Sequence, residues 1–490
     1  MKFFSPTSSF AAASRIAPAA LLFLATIALH GQTYTTLNSF DSTDGAFPFP
    51  GVVQALDGNF YGSTYNGGAN NQGAIYKITP GGTLTLVYSF CGKTNCTDGA
   101  LPRAGLTLAS NGNLYGSTVG GGANNRGSIF KVTPAGMLTT VYSFCALTSC
   151  DDGASPYGNL IQGSDGNFYG TTQQGGPKNL GVIFRVTPAG ADTTLYTFCS
   201  LANCADGSSP ASGLVQSSNG TFYGTTENGG AHTTCSGGGC GTVFKLVGTQ
   251  LTTLYSFCAK TNCADGNNPV GGLVLASNGT LYGTNTAGGS VNATGTVFQL
   301  TPAGALTTLH TFCTQTGCPD GQVPFAGLVR ATDGNLYGVA SSGGTVGGGT
   351  IFKVTPSGAF TLLYNLCSLS ACVDGKGPDG TLIQATNGNF YGTTFNGGTS
   401  DAGVVFSLST GLGAFIQTVP TSGKVGTAVK ILGSDLSGAT SVTFNGKAAS
   451  FKVVSSTEIT TTVPTGATTG TVKVATPAGT LSSNLAFTVP

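Results

Sequence analysis

The sequence predicts an all-β protein: a seven-bladed β-propeller with four-stranded blades, its last blade closed by the N-terminal strand, followed by an Ig-like β-sandwich. Three observations carry this. The dipeptide Tyr-Gly recurs at Tyr61, Tyr115, Tyr169, Tyr223, Tyr282, Tyr337 and Tyr391, at intervals of 54, 54, 54, 59, 55 and 54 residues. Each repeat holds four runs rich in aromatic and β-branched residues, separated by Gly-rich turns, with no helical period. The array opens on a lone fourth-strand run and ends on three strands without a fourth.

The N-terminus reads as a targeting segment. Lys2 and Arg15 precede an apolar run, IAPAALLFLATIAL at 16–29, and HGQT follows. This pattern is expected of a secretory signal peptide over 1–31. The run is short for a membrane span, although an uncleaved anchor is the alternative. The mature chain is expected to start near Gln32, to be secreted or held at the cell surface, and to have no membrane span once the signal is removed.

The propeller is assigned to 32–410. Its first strand is of the GLTLAS type (105–110), and a tight turn follows, DGN at 57–59 or NGN at 111–113. Asp-Gly and Asn-Gly between apolar runs are strong hairpin signals, because both turn residues need positive φ. The second strand is NFYGST (59–64). A Gly-rich loop leads to the third, GAIYKIT (73–79), and a PGG or PAG turn leads to the fourth, TLTLVYSF (83–90). One such unit cannot bury both faces of its sheet, whereas a closed ring of seven can. The run YTTLNSF (34–40) matches LTTLYSF (251–257) and has no strands before it. It is therefore expected to supply the fourth strand missing after GVVFSLS (403–409), leaving no bare sheet edge. The repeated unit, GNFYGTT…GG…FKvTPaG…LYSF, resembles the bacterial Gloeo–Verruco (GloVer) repeat over about 33–410. That resemblance implies an exported, propeller-like array and no common activity.

The segment 411–490 has no Cys and a different texture, with alternating strands between Gly, Ser and Asn turns. The elements PTSGKVG (420–426), VKILG (429–433), VTFNG (442–446), VPTG (463–466) and FTV (487–489) make it similar to the IPT/TIG Ig-like domain. The resemblance implies a spacer or interaction module. The segment carries no Arg, which argues against the DNA-contacting versions of that domain.

All 14 cysteines fall into Cys-x4-Cys pairs. Cys91 goes with Cys96, Cys145 with Cys150, Cys199 with Cys204, Cys235 with Cys240, Cys258 with Cys263, Cys313 with Cys318 and Cys367 with Cys372. A fully paired set in an exported chain favours disulfides. Zinc would need four ligands at one point, and the chain has only three His. Six of the pairs are followed by Asp-Gly, at Asp98, Asp152, Asp206, Asp265, Asp320 and Asp374, and Asp44 is the counterpart in the Cys-free first loop. A ring of carboxylates could bind cations or sugar hydroxyls. Recurrence in every repeat instead favours a turn in which the carboxylate accepts backbone N–H groups.

Alternate connections of a meander lie at one end, so the Cys loops and the Gly-Gly loops should share one face. Loops on a rigid scaffold are where function usually resides. Four residues there break the repeat and are candidate ligand-binding residues: Arg103, Arg126, Tyr157 and Phe325. No catalytic constellation stands out. Glu227, His232 and Asp206, all in the fourth repeat, are the weak candidates for an acid–base group. His310 replaces a recurrent Tyr and is expected to be structural. No metal and no cofactor is expected.

Charged residues make up 8% of the chain and the net charge is +1, so there is no basic field for nucleic acid. The expected role is binding or adhesion, with an extracellular polysaccharide or a surface protein as partner. A glycan-active hydrolase or lyase on the same scaffold, and a purely structural surface protein, are the alternatives.

Overall fold

The computed structural model describes residues 32–235, 238–289 and 294–490. The expected signal peptide at 1–31 lies outside the described residues. The described chain is β throughout, apart from five single 3-10 turns such as Thr94–Cys96. None of its helices is long and apolar enough to cross a membrane.

Strand β1 (Thr33–Ser39) stands alone at the start. Strands β2 (Val53–Gln54), β3 (Phe60–Thr64), β4 (Ala74–Ile78) and β5 (Leu84–Ser89) then form an antiparallel sheet in chain order. Five further antiparallel sheets repeat this order along the chain, the third sheet carrying an extra short strand, Ala154–Pro156. The seventh sheet has three consecutive strands, Ile383–Gln384, Phe390–Thr394 and Val404–Ser409. Its fourth strand is β1, which pairs antiparallel with Val404–Ser409, Thr33 opposite Ser409. The described chain thus starts in the sheet that joins the last copies to the first.

Both faces of every sheet are covered. Within NFYG, the Phe and the Tyr are neighbours in a strand and so point to opposite faces. At four of the seven junctions the Tyr of one repeat then meets the Phe of the next, and Leu114, Leu281 and Leu336 take the place of the Phe in the other three repeats. Tyr115 packs on Phe168 at 3.9 Å between ring centroids, Tyr169 on Phe222 at 4.4 Å and Tyr337 on Phe390 at 4.2 Å. Tyr391 of the seventh sheet stacks on Phe60 of the first at 3.9 Å. A second contact runs alongside. Phe90, Phe144, Phe198, Phe257 and Phe312, each just after a fourth strand, set an edge against the third-strand Phe of the following sheet at 5.0–5.4 Å. Phe40, just after β1, does the same to Tyr76 of the first sheet at 4.9 Å. Seven buried clusters result, each shared by two consecutive sheets, and the last joins the seventh sheet to the first.

Hydrogen bonds follow the same cycle. Gln162 Oε1 accepts the Ser110 amide of the preceding sheet at 2.8 Å, and Gln216 Oε1 accepts the Ser164 amide at 3.0 Å. Gln54 Oε1 of the first sheet accepts the Thr386 amide of the seventh at 3.0 Å.

The C-terminal part holds two four-stranded sheets, one including Ala428–Leu432 and Glu458–Thr462, the other Ser441–Phe444 and Val472–Thr476. They share one apolar core, which gathers Ile431 and Ile459 with Phe444 and Val474. This part contacts the tight turns of the repeats. Thr457 Oγ1 donates to the Leu56 carbonyl at 2.7 Å, and the Phe415 amide donates to the Thr386 carbonyl at 2.9 Å. These turns lie at the opposite end of the sheets from the long loops, so the long-loop end stays free of the C-terminal part.

One position departs from its counterparts. Opposite the last core residue of the third strand, the other sheets place an apolar or aromatic residue, Leu84, Leu138 and Leu306 among them. These three pack against inter-sheet clusters. In the third sheet the residue is Asp192, opposite Val186. One of its carboxylate oxygens is buried without a hydrogen-bond partner. Burial, and then the neighbouring Asp152 carboxylate, push its pKa up to about 7.

The packing sets two expectations for stability. Phe40→Ala should cost about 3–5 kcal/mol, as much as Phe144→Ala, because the closing contact is built like the others. Urea unfolding checks this, and a much smaller loss for Phe40→Ala would mean that the cycle is not closed in solution. Asp192 binds a proton more tightly folded than unfolded, so its ionisation lowers stability as pH rises from about 4 to about 7. Asp192→Leu should remove that slope and raise stability by about 1–2 kcal/mol at pH 8, read as denaturation midpoints across pH.

Candidate binding site

The cysteine loops frame the end of the molecule where the long connections lie. Seven disulfides join the seven expected pairs: Cys91–Cys96, Cys145–Cys150, Cys199–Cys204, Cys235–Cys240, Cys258–Cys263, Cys313–Cys318 and Cys367–Cys372. In the six recurrent loops both cysteines have positive φ. The first of each pair, such as Cys91 at 58°, is followed by a second in the same region: Cys96 at 52°, Cys150 at 58°, Cys204 at 52°, Cys263 at 49°, Cys318 at 48° and Cys372 at 52°. That conformation costs a side-chain-bearing residue roughly 1–2 kcal/mol, so something must hold it. The recurrent Asp does. Asp98 is fully buried. Its carboxylate accepts the Tyr88 hydroxyl at 2.7 Å and the amides of Gly92 and Lys93 at 3.0 and 3.3 Å. Asp152, Asp206, Asp265 and Asp374 repeat this arrangement with Tyr142, Tyr196, Tyr255 and Tyr364. In the remaining loop His310 takes the place of Tyr, its Nε2 2.9 Å from Asp320 Oδ2, and it stacks on Phe360 at 4.0 Å. Burial lowers the His310 pKa, against the pull of Asp320. The first loop has no cysteines. There Asp41 accepts the Thr43 amide and hydroxyl, and Asp44 accepts the Asp41 amide.

The pair Cys235 and Cys240 belongs to the one long insertion. It brings its sulfurs within 4.8 Å of those of Cys258 and Cys263. All four are bonded in pairs, and only reduction of both bridges would free them as metal ligands.

At the centre, the innermost segments of all seven sheets line one cavity of about 320 Å³. Each segment starts at a proline: Pro48, Pro102, Pro156, Pro210, Pro269, Pro324 and Pro378. Each proline ring lies on a glycine that opens the third strand of the preceding sheet. A Cβ on Gly73 would fall 2.5 Å from Pro102 Cδ, and one on Gly403 would fall 2.5 Å from Pro48 Cδ. Deeper in, neighbouring segments meet backbone to backbone, and a Cβ on Gly51 would collide with the Thr381 carbonyl oxygen. Gly and Pro therefore recur for packing. The residue after the proline varies, and only Phe occurs twice. It is Phe49, Arg103, Tyr157, Ala211, Val270, Phe325 and Asp379 in turn, and all seven line the cavity.

The residues at or just past the ends of the second strands stand beside this set and vary equally, among them Tyr65, Gln173, Glu227, Ser341 and Phe395. The Arg103 guanidinium carbon lies over two rings, 4.3 Å from the Phe49 centroid and 4.1 Å from that of Tyr157, with Tyr65 at 5.9 Å. Its Nε is buried without a partner. Phe325 and Phe395 pack edge to face with Phe49 at 5.4 and 6.0 Å. Gln173 Nε2 donates to Glu227 Oε2 at 3.4 Å. Burial raises the pKa of Glu227 and of Asp379, and in both cases Arg103 pulls the other way. Burial also raises the Tyr157 phenol. The cavity thus offers flat apolar rings, one cation, and acceptors on two carboxyls.

Of the residues singled out from sequence, Arg103, Tyr157 and Phe325 meet in this cavity. Arg126 is exposed on a Gly-rich loop, where its carbonyl accepts the Ser155 amide. Glu227 lies close enough to Arg103 to feel its charge. Asp206 is buried in its own loop, and His232 sits half-exposed on the insertion. No hydrogen bond joins Glu227, His232 and Asp206 among the described residues. Phe49 and Asp379 escape a reading based on charge and loop position, although alignment of the repeats on the proline finds them.

The two restraints on each loop differ in expected strength. Asp98→Ala leaves a tyrosine hydroxyl and two amides without their acceptor and should cost about 2–3 kcal/mol. Cys91→Ser with Cys96→Ser opens only a short ring and should cost about 2 kcal/mol. Chemical unfolding of both variants ranks them. An Asp98→Ala variant as stable as the wild type would remove the carboxylate from its structural role.

The solved structures similar to this chain share little sequence with it. The extracellular domain of a hybrid two-component system from B. thetaiotaomicron has 10% identity and a TM-score of 0.49, with 82% of this chain and 46% of that one covered. PorZ of Porphyromonas gingivalis, a surface component of the type-IX secretion system, has 14% identity and a TM-score of 0.44, with 88% and 58% covered. A putative 6-phosphogluconolactonase from Bacteroides fragilis has 18% identity and a TM-score of 0.39, with 64% and 83% covered. The chain spans about half the length of the two-component-system domain. No curated protein matches it. The IPT/TIG domain model matches residues 415–489. The Gloeobacter/Verrucomicrobia repeat model matches residues 21–236 and 232–448, and the chain belongs to that family.

Proposed function

We propose that this is an exported binding or adhesion protein. In this reading residues 32–410 are a seven-bladed β-propeller, residues 411–490 are an Ig-like spacer or interaction module, and residues 1–31 are the export signal. Seven disulfides suit an oxidising compartment outside the cytoplasm. The partner is an extracellular polysaccharide or the surface of another protein, received at the long-loop end.

The observation that carries the reading is the contrast within the central cavity. Its walls come from seven copies of one segment, yet six residue types stand after the seven prolines, and aromatic, cationic, acidic and small residues all occur. Packing explains the recurrent glycines and prolines. It does not require Phe, Arg, Tyr and Asp at equivalent positions, and a ligand without sevenfold symmetry does. Rings beside polar groups are the composition of a saccharide-binding site.

A second reading, a glycan-active hydrolase or lyase, is favoured only by Glu227 and Asp379, two carboxyls with raised pKa beside one cavity. One experiment separates the two. The mature chain, residues 32–490, is incubated with a panel of polysaccharides, and retention and soluble products are scored in the same wells. Retention without products is expected. Products that disappear in Glu227→Gln would replace binding by catalysis, and neither retention nor products would remove the saccharide from the proposal.

A further inference from the structure

We infer that the central cavity recognises a sugar that carries a carboxylate, with Arg103 as the residue that reads the acid group. The inference rests on the binding role proposed above and narrows its ligand.

Arg103 has unsatisfied chemistry. A guanidinium has five N–H donors in one plane. Here its central carbon lies over the Phe49 ring at 4.3 Å and over the Tyr157 ring at 4.1 Å. Nε is buried without a partner, and among the described residues no carboxylate lies within ion-pair distance of Arg103 and no hydrogen bond involves its side chain. In a half-buried site, a cation held against two rings with its donors unspent is arranged for a planar anion outside the protein. A carboxylate can take two parallel N–H bonds from a guanidinium.

The neighbours decide what else the ligand carries. Asp379 lines the cavity and Glu227 stands beside it. If Arg103 were there to neutralise them, it would be paired with one of them. Both instead keep acceptor capacity for a donor on a ligand, and burial holds them closer to neutral than ordinary carboxylates. A ligand that brought only an acid group would satisfy Arg103 and repel these two. A uronic sugar brings a carboxylate for Arg103, hydroxyl donors for Asp379 and Glu227, and an apolar ring face for Tyr157 or Phe325. An acidic peptide brings the carboxylate without the hydroxyls. A cavity of about 320 Å³ is at the small end of ligand sites, which suits one or two sugar units of a chain.

The test is calorimetric titration of the mature chain, residues 32–490, with trigalacturonate, maltotriose and triglutamate at low salt. Trigalacturonate should bind at least about tenfold more tightly than either of the others, and more weakly as salt is raised. Arg103→Gln should abolish that preference. Asp379→Asn, which keeps the shape and removes a negative charge, should tighten trigalacturonate several-fold and leave maltotriose unchanged. It also serves if Arg103→Gln does not fold. Equal affinity for trigalacturonate and maltotriose would overturn the role of Arg103 while leaving saccharide binding in place. Triglutamate binding as tightly as trigalacturonate would overturn the sugar. Binding of none of the three would overturn this inference and leave the binding role to be decided by the polysaccharide panel.

Discussion

The structure depends on the face-to-face packing of one sheet on the next. A four-stranded sheet with apolar residues on both faces has no stable state alone, because each face needs a cover. Here the cover is another copy of the same sheet, so the requirement passes along the chain until the last sheet meets the first. The Phe-Tyr step of NFYG is the local device. Two adjacent ring-bearing residues point to opposite sides, and the Tyr of one copy finds the Phe of the next. Pairing β1 with Val404–Ser409 then ties the two ends of the array within one sheet, so that the closing contact cannot open without breaking a strand pairing.

This constraint sorts the sequence into what must recur and what need not. Tyr, Phe and Gly within the strands recur because they form the inter-sheet contact. Pro recurs because its ring fills the space above a glycine of the sheet before it. The Asp that follows six of the Cys pairs recurs because its carboxylate holds the loop, collecting a tyrosine and two amides in five of them and His310 with the Cys313 amide in the sixth. The residue after the proline is held in place by all of this and is itself used by none of it. That is the physical reason why it is free to vary from copy to copy.

Much of this is legible in the sequence, because periodic hydrophobicity and turn chemistry are local. The runs 59–64, 73–79 and 83–90 correspond to strands Phe60–Thr64, Ala74–Ile78 and Leu84–Ser89. The seven disulfides, from Cys91–Cys96 to Cys367–Cys372, follow the spacing that predicts them. The first strand, expected over 105–110, is only Thr107–Leu108. Crowding explains the difference, since glycines there let adjacent segments meet through their backbones and leave little length for pairing. The partner of the recurrent Asp is in plain view as the Tyr ten residues earlier, but the contact spans a whole loop and no local rule points to it. Arg103, Tyr157 and Phe325 stand out because they break the repeat. Arg126 breaks it too and lies elsewhere, because it sits on the Gly-rich loop after the second strand and not behind a proline. Departure from the repeat marks a residue as released from packing, and its place in the repeat decides whether it faces the cavity.

The same logic explains why the loops around the cavity are so heavily restrained. A site assembled from seven separate segments keeps its shape only if each segment is fixed independently, since no single strand or helix carries the whole constellation. Each recurrent Cys loop leads directly into one wall of the cavity, and each is closed both by a disulfide and by the carboxylate of its Asp. The first loop lacks a disulfide and is closed by Asp41 and Asp44 instead. The C-terminal part packs on the tight turns at the other end, where the repeats present nothing that varies in this way. Stiffness is therefore concentrated at the end where the variable residues converge.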